Sequence, residues 1–117
     1  MIKGIGIDII EVQRIEKILS RENLLKKIFT DKELSLFKKS SLQSQHLAAR
    51  FAAKESLIKA IGKRLTLNNI EILNKKNGEP YFNFTEKYKK YFADKNIFLS
   101  ISHLPQYAVA VVVITQD

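Results

Sequence analysis

The chain contains no cysteine. That excludes disulfide staples and thiolate metal sites, and makes the cytoplasm the expected compartment. Histidine is nearly as scarce: His46 and His103 are the only two, and their separation makes no zinc signature. With four glycines in all, no phosphate-cradling loop of the P-loop or Rossmann kind can be written; Gly4 and Gly6 begin a Gly-x-Gly, but the third glycine is missing. Long apolar runs are absent too. The longest, Ala108 to Ile114, is strand-sized, far below the roughly 20 residues needed to cross a bilayer, so no membrane insertion is expected. Asp8 interrupts the apolar N-terminal segment, so no secretory signal is expected either. Ser102-His103 lacks a nucleophile elbow, which argues against a serine hydrolase.

Acidic residues are in deficit: 12 against 20 lysines and arginines, for a net charge of +8. Such a surface attracts nucleic acid, a membrane face, phosphorylated small molecules or an acidic protein. No RNP-like aromatic strand, helix-turn-helix pattern or zinc knuckle supports the first of these. At 117 residues, 45% hydrophobic and 27% charged, the chain is expected to form one soluble domain over 1–117.

Ile2 to Ile10 alternates in part and predicts a first strand; its side-chain-less Gly4 and Gly6 imply that another backbone or a ligand comes close. Val12, Ile15, Ile18 and Leu19 predict an amphipathic helix, with Asp8 and Glu11 at capping-box spacing before it. A short helix is expected over 21–29. Thr30 and Glu33 then form a capping box for a helix over about 31–39. A long helix over about 42–61 follows, stopped by Gly62. Asn77-Gly78 predicts a hairpin between strands at 70–73 and 81–84, and Thr85 caps a helix with Tyr88, Tyr91 and Phe92 inward. A second hairpin turns at Leu104-Pro105-Gln106. Its last strand, apolar on both parities, is expected to be covered on both faces, the second cover coming from another subunit. The fold class is α+β, a mostly antiparallel sheet packed against a long helix and shorter helices.

Chemistry is left to carboxylates and a lysine. Glu55 and Lys59 share a face of the long helix at i,i+4, which by itself describes a weak surface ion pair. Asp8 lies in or after the first strand. Mg²⁺ is typically held by one or two carboxylates, with water and substrate phosphate oxygens completing the octahedron. Lys54, Lys63 and Arg64 are expected to be solvated.

Three segments carry more than their spacing: GIGIDIIEVQRI (Gly4 to Ile15), RFAAKESLIKAIG (Arg50 to Gly62) and SISH (Ser100 to His103). Together with the NGEPYF hairpin and the YAVAVVV strand, they closely resemble the holo-acyl-carrier-protein synthase branch of the 4′-phosphopantetheinyl transferase superfamily. The resemblance covers nearly the whole chain. It implies Mg²⁺-dependent transfer of the 4′-phosphopantetheine arm of coenzyme A to a serine of an acidic apo-acyl-carrier protein, in fatty acid biosynthesis. It also implies a homotrimer with active sites between subunits. By the same resemblance, Asp8 and Glu55 are the metal ligands, and Glu55 and Lys59 the catalytic pair. Arg50, Lys59, Gly62, Gly78, Pro80 and His103 would bind coenzyme A, with Arg50 and His103 on its 3′-phosphate. Arg14, joined by Lys17 and Arg21, would dock the carrier protein. The proton acceptor for the serine is open between a metal-held water and Glu55. Two departures stand out: the Gly62-Leu65 loop is shorter than in many members, and Leu104 replaces a common hydroxyl residue after His103.

Overall fold

The computed structural model describes residues 1–117. Strand β1 (Ile2–Glu11) leads into three short helices, α1 (Val12–Glu16), α2 (Glu22–Ile28) and α3 (Asp31–Phe37). The long helix α4 (Gln43–Ile61) follows, then a 3₁₀ turn (Leu67–Asn69) and the hairpin β2 (Ile70–Asn74) and β3 (Pro80–Phe84). Helix α5 (Glu86–Phe92) precedes a second hairpin, β4 (Asn96–His103) and β5 (Tyr107–Thr115). Every strand pairing is antiparallel, in a three-stranded sheet of order β1-β5-β4 and a separate β2-β3 ribbon. The expected α+β class and element order hold. No helix is long and apolar enough to cross a membrane.

Helix α4 lies directly on β1 and β5, and the glycines of β1 make this possible. A Cβ built on Gly6 would stand 2.0 Å from the Ser56 carbonyl oxygen, and one on Gly4 1.8 Å from that of Ala60. The close partner implied by those glycines is therefore a helix backbone. Ala48, Ala49, Ala52, Ala53 and Ala60 are buried, giving α4 the thin side that such an approach needs. The Ser56 hydroxyl lies 2.9 Å from the Ala110 carbonyl and secures the helix to β5.

Several local expectations are corrected. β1 runs through Asp8 to Glu11, so Asp8 is a strand residue; Glu11 takes the N-cap position of α1 without a side-chain cap bond. Pairing with Tyr107 to Ala110 of β5 extends the strand past the capping signal. α1 ends at Glu16, and Lys17 to Ser20 are turns. Asn77-Gly78 belongs to a five-residue connection in which Gly78 N–H donates to Lys75 C=O at 2.9 Å, with Gly78 at φ 90°. The Thr85 hydroxyl donates to Asn69 Oδ1 at 2.6 Å and does not cap α5. Phe92 is buried, but Tyr91 is exposed. The Thr30–Glu33 capping box forms in both directions as expected, and Gly62 ends α4 in the left-handed conformation at φ 69°.

The last strand is covered on one face only within the chain. Ala108, Ala110, Val112 and Ile114 are buried under α4, while Val109, Val111 and Val113 face the open side. The register lines up Ile5, Val113 and Phe98 across the three strands on that side, and beside them Ile7 with Val111 and Ile9 with Val109. Ile5, Ile7, Ile9 and Phe98 are each 60% or more exposed. The face is apolar and continuous, of the kind that monomers rarely leave open.

Candidate active site

Helix α4 carries His46, Arg50, Glu55 and Lys59 in order along its length, and two groups of side chains gather around it. The first lies near the helix start. A pocket of about 350 Å³ is lined by Arg50, Gly78, Pro80 and His103, four of the expected coenzyme A residues, together with His46 and Asn74. The β2-β3 hairpin brings Gly78 and Pro80, and the end of β4 brings His103. Arg50 is 4% exposed; its guanidinium lies 4.3 Å over the Phe37 ring and donates from Nη2 to Asn74 Oδ1 at 2.5 Å. Burial lowers its pKa to about 10, which leaves it cationic at neutral pH. Its Nε is buried without any partner. His103 Nδ1 lies 2.8 Å from Gln45 Oε1, which fixes the ring.

The second group lies toward the helix end, on the β1 side. Lys59 Nζ donates to Asp8 Oδ1 at 3.1 Å and to the Ile7 carbonyl at 2.9 Å. The expected i,i+4 pair with Glu55 does not form. A strand carboxylate one layer below takes its place, which no spacing rule within the helix can reveal. Glu55 is half-buried, and burial followed by the Asp8 charge pushes its carboxyl above the usual range, while Lys59, Arg64 and Arg14 pull it back. Two carboxylates close enough to repel, with cations ringed around them, make a donor set suited to a divalent ion. No group of three or more His, Asp or Glu gathers anywhere, so Asp8 and Glu55 would leave most of a divalent ion's shell to water and substrate oxygens. Gly62 lies one turn beyond Lys59, exposed and outside the first pocket.

Arg14, Lys17 and Arg21 are all exposed. They do not share one helix: Arg14 is in α1, Lys17 is its C-cap, and Arg21 is the N-cap residue of α2. Arg14 is the one whose charge reaches Glu55.

Reading the sequence missed four participants. His46, Asn74 and Gln45 come together only through the fold, and Arg64 is exposed as expected yet acts on Glu55. Lys54 is a correction. It is completely buried, with Nζ donating to Glu33 Oε1 at 2.6 Å and to the carbonyls of Ile28 at 2.7 Å and Leu67 at 3.1 Å. Glu33 in turn accepts from Thr30 N–H at 3.0 Å and Ile72 N–H at 2.9 Å. A lysine lying among small residues looked solvated, because its acceptors come from three other segments.

The 4′-phosphopantetheinyl transferase superfamily model matches residues 4–112. A holo-[acyl-carrier-protein] synthase of Thermodesulfovibrio yellowstonii is 47% identical over 119 residues, covering 98% of this chain and 100% of that protein. A crystal structure of a holo-(acyl-carrier-protein) synthase from Bacillus anthracis in complex with CoA (3′,5′-ADP) superposes with TM-score 0.84 at 37% identity, covering 100% and 99% of the two chains. That of the Helicobacter pylori holo-[acyl-carrier-protein] synthase in complex with coenzyme A gives TM-score 0.78 at 33% identity, covering 95% and 99%.

Proposed function

Because the chain belongs to the 4′-phosphopantetheinyl transferase superfamily, we propose that the two groups on α4 are the two sides of a coenzyme A cleft that forms between neighbouring copies of the chain. The chain is a holo-acyl-carrier-protein synthase: it transfers the 4′-phosphopantetheine group of coenzyme A to a serine of apo-acyl-carrier protein, giving holo-acyl-carrier protein and adenosine 3′,5′-bisphosphate. The observation carrying the reading is that Arg50, Gly78, Pro80 and His103 line one pocket. Five residues turn a helix by about 140°, so Arg50 and Glu55 look out from different sides of α4, and a partner copy would bring the second group to the first.

In this reading Arg50 and His103 hold the 3′-phosphate. Arg50 arrives with a buried, unpartnered Nε and with its plane set by Phe37 and Asn74, so little side-chain entropy is lost on binding. Gly78 and Pro80 wall the adenine side; φ near 90° favours glycine at position 78, and its lack of a side chain keeps the hairpin tip thin there. Lys59 uses two of its three N–H groups on Asp8 and Ile7, leaving one for the pyrophosphate. Gly62 lets the chain turn away just past that lysine. Asp8 and Glu55 would hold Mg²⁺, which when bound withdraws charge from the attacked phosphate and aligns the departing oxygen. The serine proton would pass to water in the site or to Glu55, the protein carboxylate placed there. Arg14, Lys17 and Arg21 would dock the acidic carrier protein, Arg14 being nearest the reacting end.

The open apolar face of the sheet supports a homotrimer, in which partner copies would supply the missing cover of β5. Residues 1–117 would act as one domain, working in the cytoplasm in fatty acid biosynthesis.

Incubation with coenzyme A, Mg²⁺ and apo-acyl-carrier protein, followed by mass spectrometry of the carrier, tests the reading. A phosphopantetheine adduct that disappears on chelation is expected. An adduct formed equally well under chelation would remove the metal from the scheme.

A further inference from the structure

The pocket at the start of α4 holds a histidine to which the transfer scheme gives no task. His46 lies one turn before Arg50, its ring stacked on Phe37 with centroids 4.4 Å apart and planes 14° from parallel. His103 meets it edge to face at 5.6 Å. The His46 ring makes no hydrogen bond within the protein; Arg50 reaches only its backbone carbonyl, at 3.5 Å. Stacking fixes the ring plane by its face and leaves its edges, which carry both nitrogens, free for a ligand.

The charges around it are of one sign. Arg50 on α4 and His103 on β4 face His46, while α3 presents the neutral Phe37 and the hairpin presents Asn74, Gly78 and Pro80. Glu33 acts on Arg50 from beneath and does not line the pocket. With no carboxylate in the lining and Arg50 Nε unpartnered, the pocket suits an anion of more than one charge.

Resting on the coenzyme A reading above, we infer that His46 is a third contact to the 3′-phosphate, beside Arg50 and His103, and takes up a proton from solvent as that phosphate binds. In the free protein, burial first and then the neighbouring Arg50 and His103 hold His46 below the usual histidine range. It is therefore neutral near pH 7 and adds no repulsion to the pocket. A phosphate dianion reverses the local field and favours the imidazolium. Binding and protonation are linked reciprocally, so affinity strengthens as pH falls and the His46 contribution fades as pH rises past its ligand-bound pKa. A coenzyme lacking the 3′-phosphate gains nothing from it, which makes His46 a specificity-determining residue.

Titration calorimetry with coenzyme A and with dephospho-coenzyme A, without carrier protein, tests this at pH 6.5 and pH 8 in buffers of different ionisation enthalpy. The wild type is expected to take up a fraction of a proton with coenzyme A and less with the dephospho form. His46→Phe, which keeps the stack on Phe37, and His46→Gln should each lose about tenfold in coenzyme A affinity at pH 6.5, the size of one charge-assisted hydrogen bond. Both should reduce proton uptake, keep the dephospho-coenzyme A affinity, and differ less from wild type at pH 8. The phosphate's own ionisation near about pH 6 is common to all the proteins and cancels between them. Unchanged affinity and proton uptake in both variants, with coenzyme A binding weakened in Arg50→Gln, would overturn the role of His46 and leave the cleft reading standing. Equal loss for both ligands would mark a packing effect and also overturn it. If wild type bound the two coenzymes alike and Arg50→Gln changed neither, the 3′-phosphate seat itself would fall.

Discussion

Lys54 and Lys59 sit five residues apart on α4, and each faces a carboxylate from another element, yet one pair is sealed and the other open. The Lys54–Glu33 side chains are 0% exposed, whereas those of Lys59 and Asp8 are 54% and 18% exposed. Lys54 has three acceptors for its three N–H groups and nothing left to offer a substrate. Lys59 has two acceptors and keeps one N–H free. The same ion-pair chemistry therefore holds α2, α3 and the loop before β2 together at one place, and leaves a donor free at the other. Saturation of donors, more than residue type, separates the sealed pair from the open one.

Removing Lys54 tests the sealed side most severely. Lys54→Ala would leave Glu33 charged, buried and short of its cation, and is expected to lower the unfolding free energy by about 3–5 kcal/mol in urea titration. A loss below about 1 kcal/mol, the range of an exposed pair, would erase the distinction. On the open side the large effect should fall on turnover. Asp8→Ala and Glu55→Ala are each expected to cut phosphopantetheine transfer about 10³-fold or more, with the urea midpoint near wild type. Full activity of either at saturating Mg²⁺ would refute the ligand assignment.

Lys59→Met comes next. A drop of about 10- to 100-fold in kcat/KM for coenzyme A is expected, with stability changed by less than about 1 kcal/mol. The reverse pattern, unfolding without a kinetic defect, would make Lys59 a second structural lysine. The smallest effect concerns Glu55 and pH. Its carboxyl binds a proton more tightly in the folded state than in the unfolded chain, so ionised Glu55 costs stability at neutral pH. Glu55→Gln should thus melt above wild type at pH 7, and the gain should vanish below the unfolded carboxyl pKa of about 4.3. A gain that persisted at low pH would have another cause.

Much of this was readable in advance because it is local. The Thr30–Glu33 box, the Gly62 stop, the two hairpins and the long helix depend on residues within a few positions of one another, and all are present. Four of the expected coenzyme A residues line one pocket because three motif segments meet there. Lys54, His46 and Arg64 were opaque for the opposite reason. Their partners lie 21 positions away in Glu33, 57 in His103 and 9 in Glu55, on elements whose packing no periodicity describes.

The sequence by itself determined the element order, the net positive charge and the family resemblance, since these follow from turn residues, hydrophobic spacing, composition and motif. Only the tertiary structure decided which cation is spent and which is free. Seating α4 on Gly4 and Gly6 places Lys59 above Asp8 in the open, while the opposite face of the helix seals Lys54 against Glu33. Burial sets the strength of an ion pair and the number of donors left over, and burial belongs to the packed molecule.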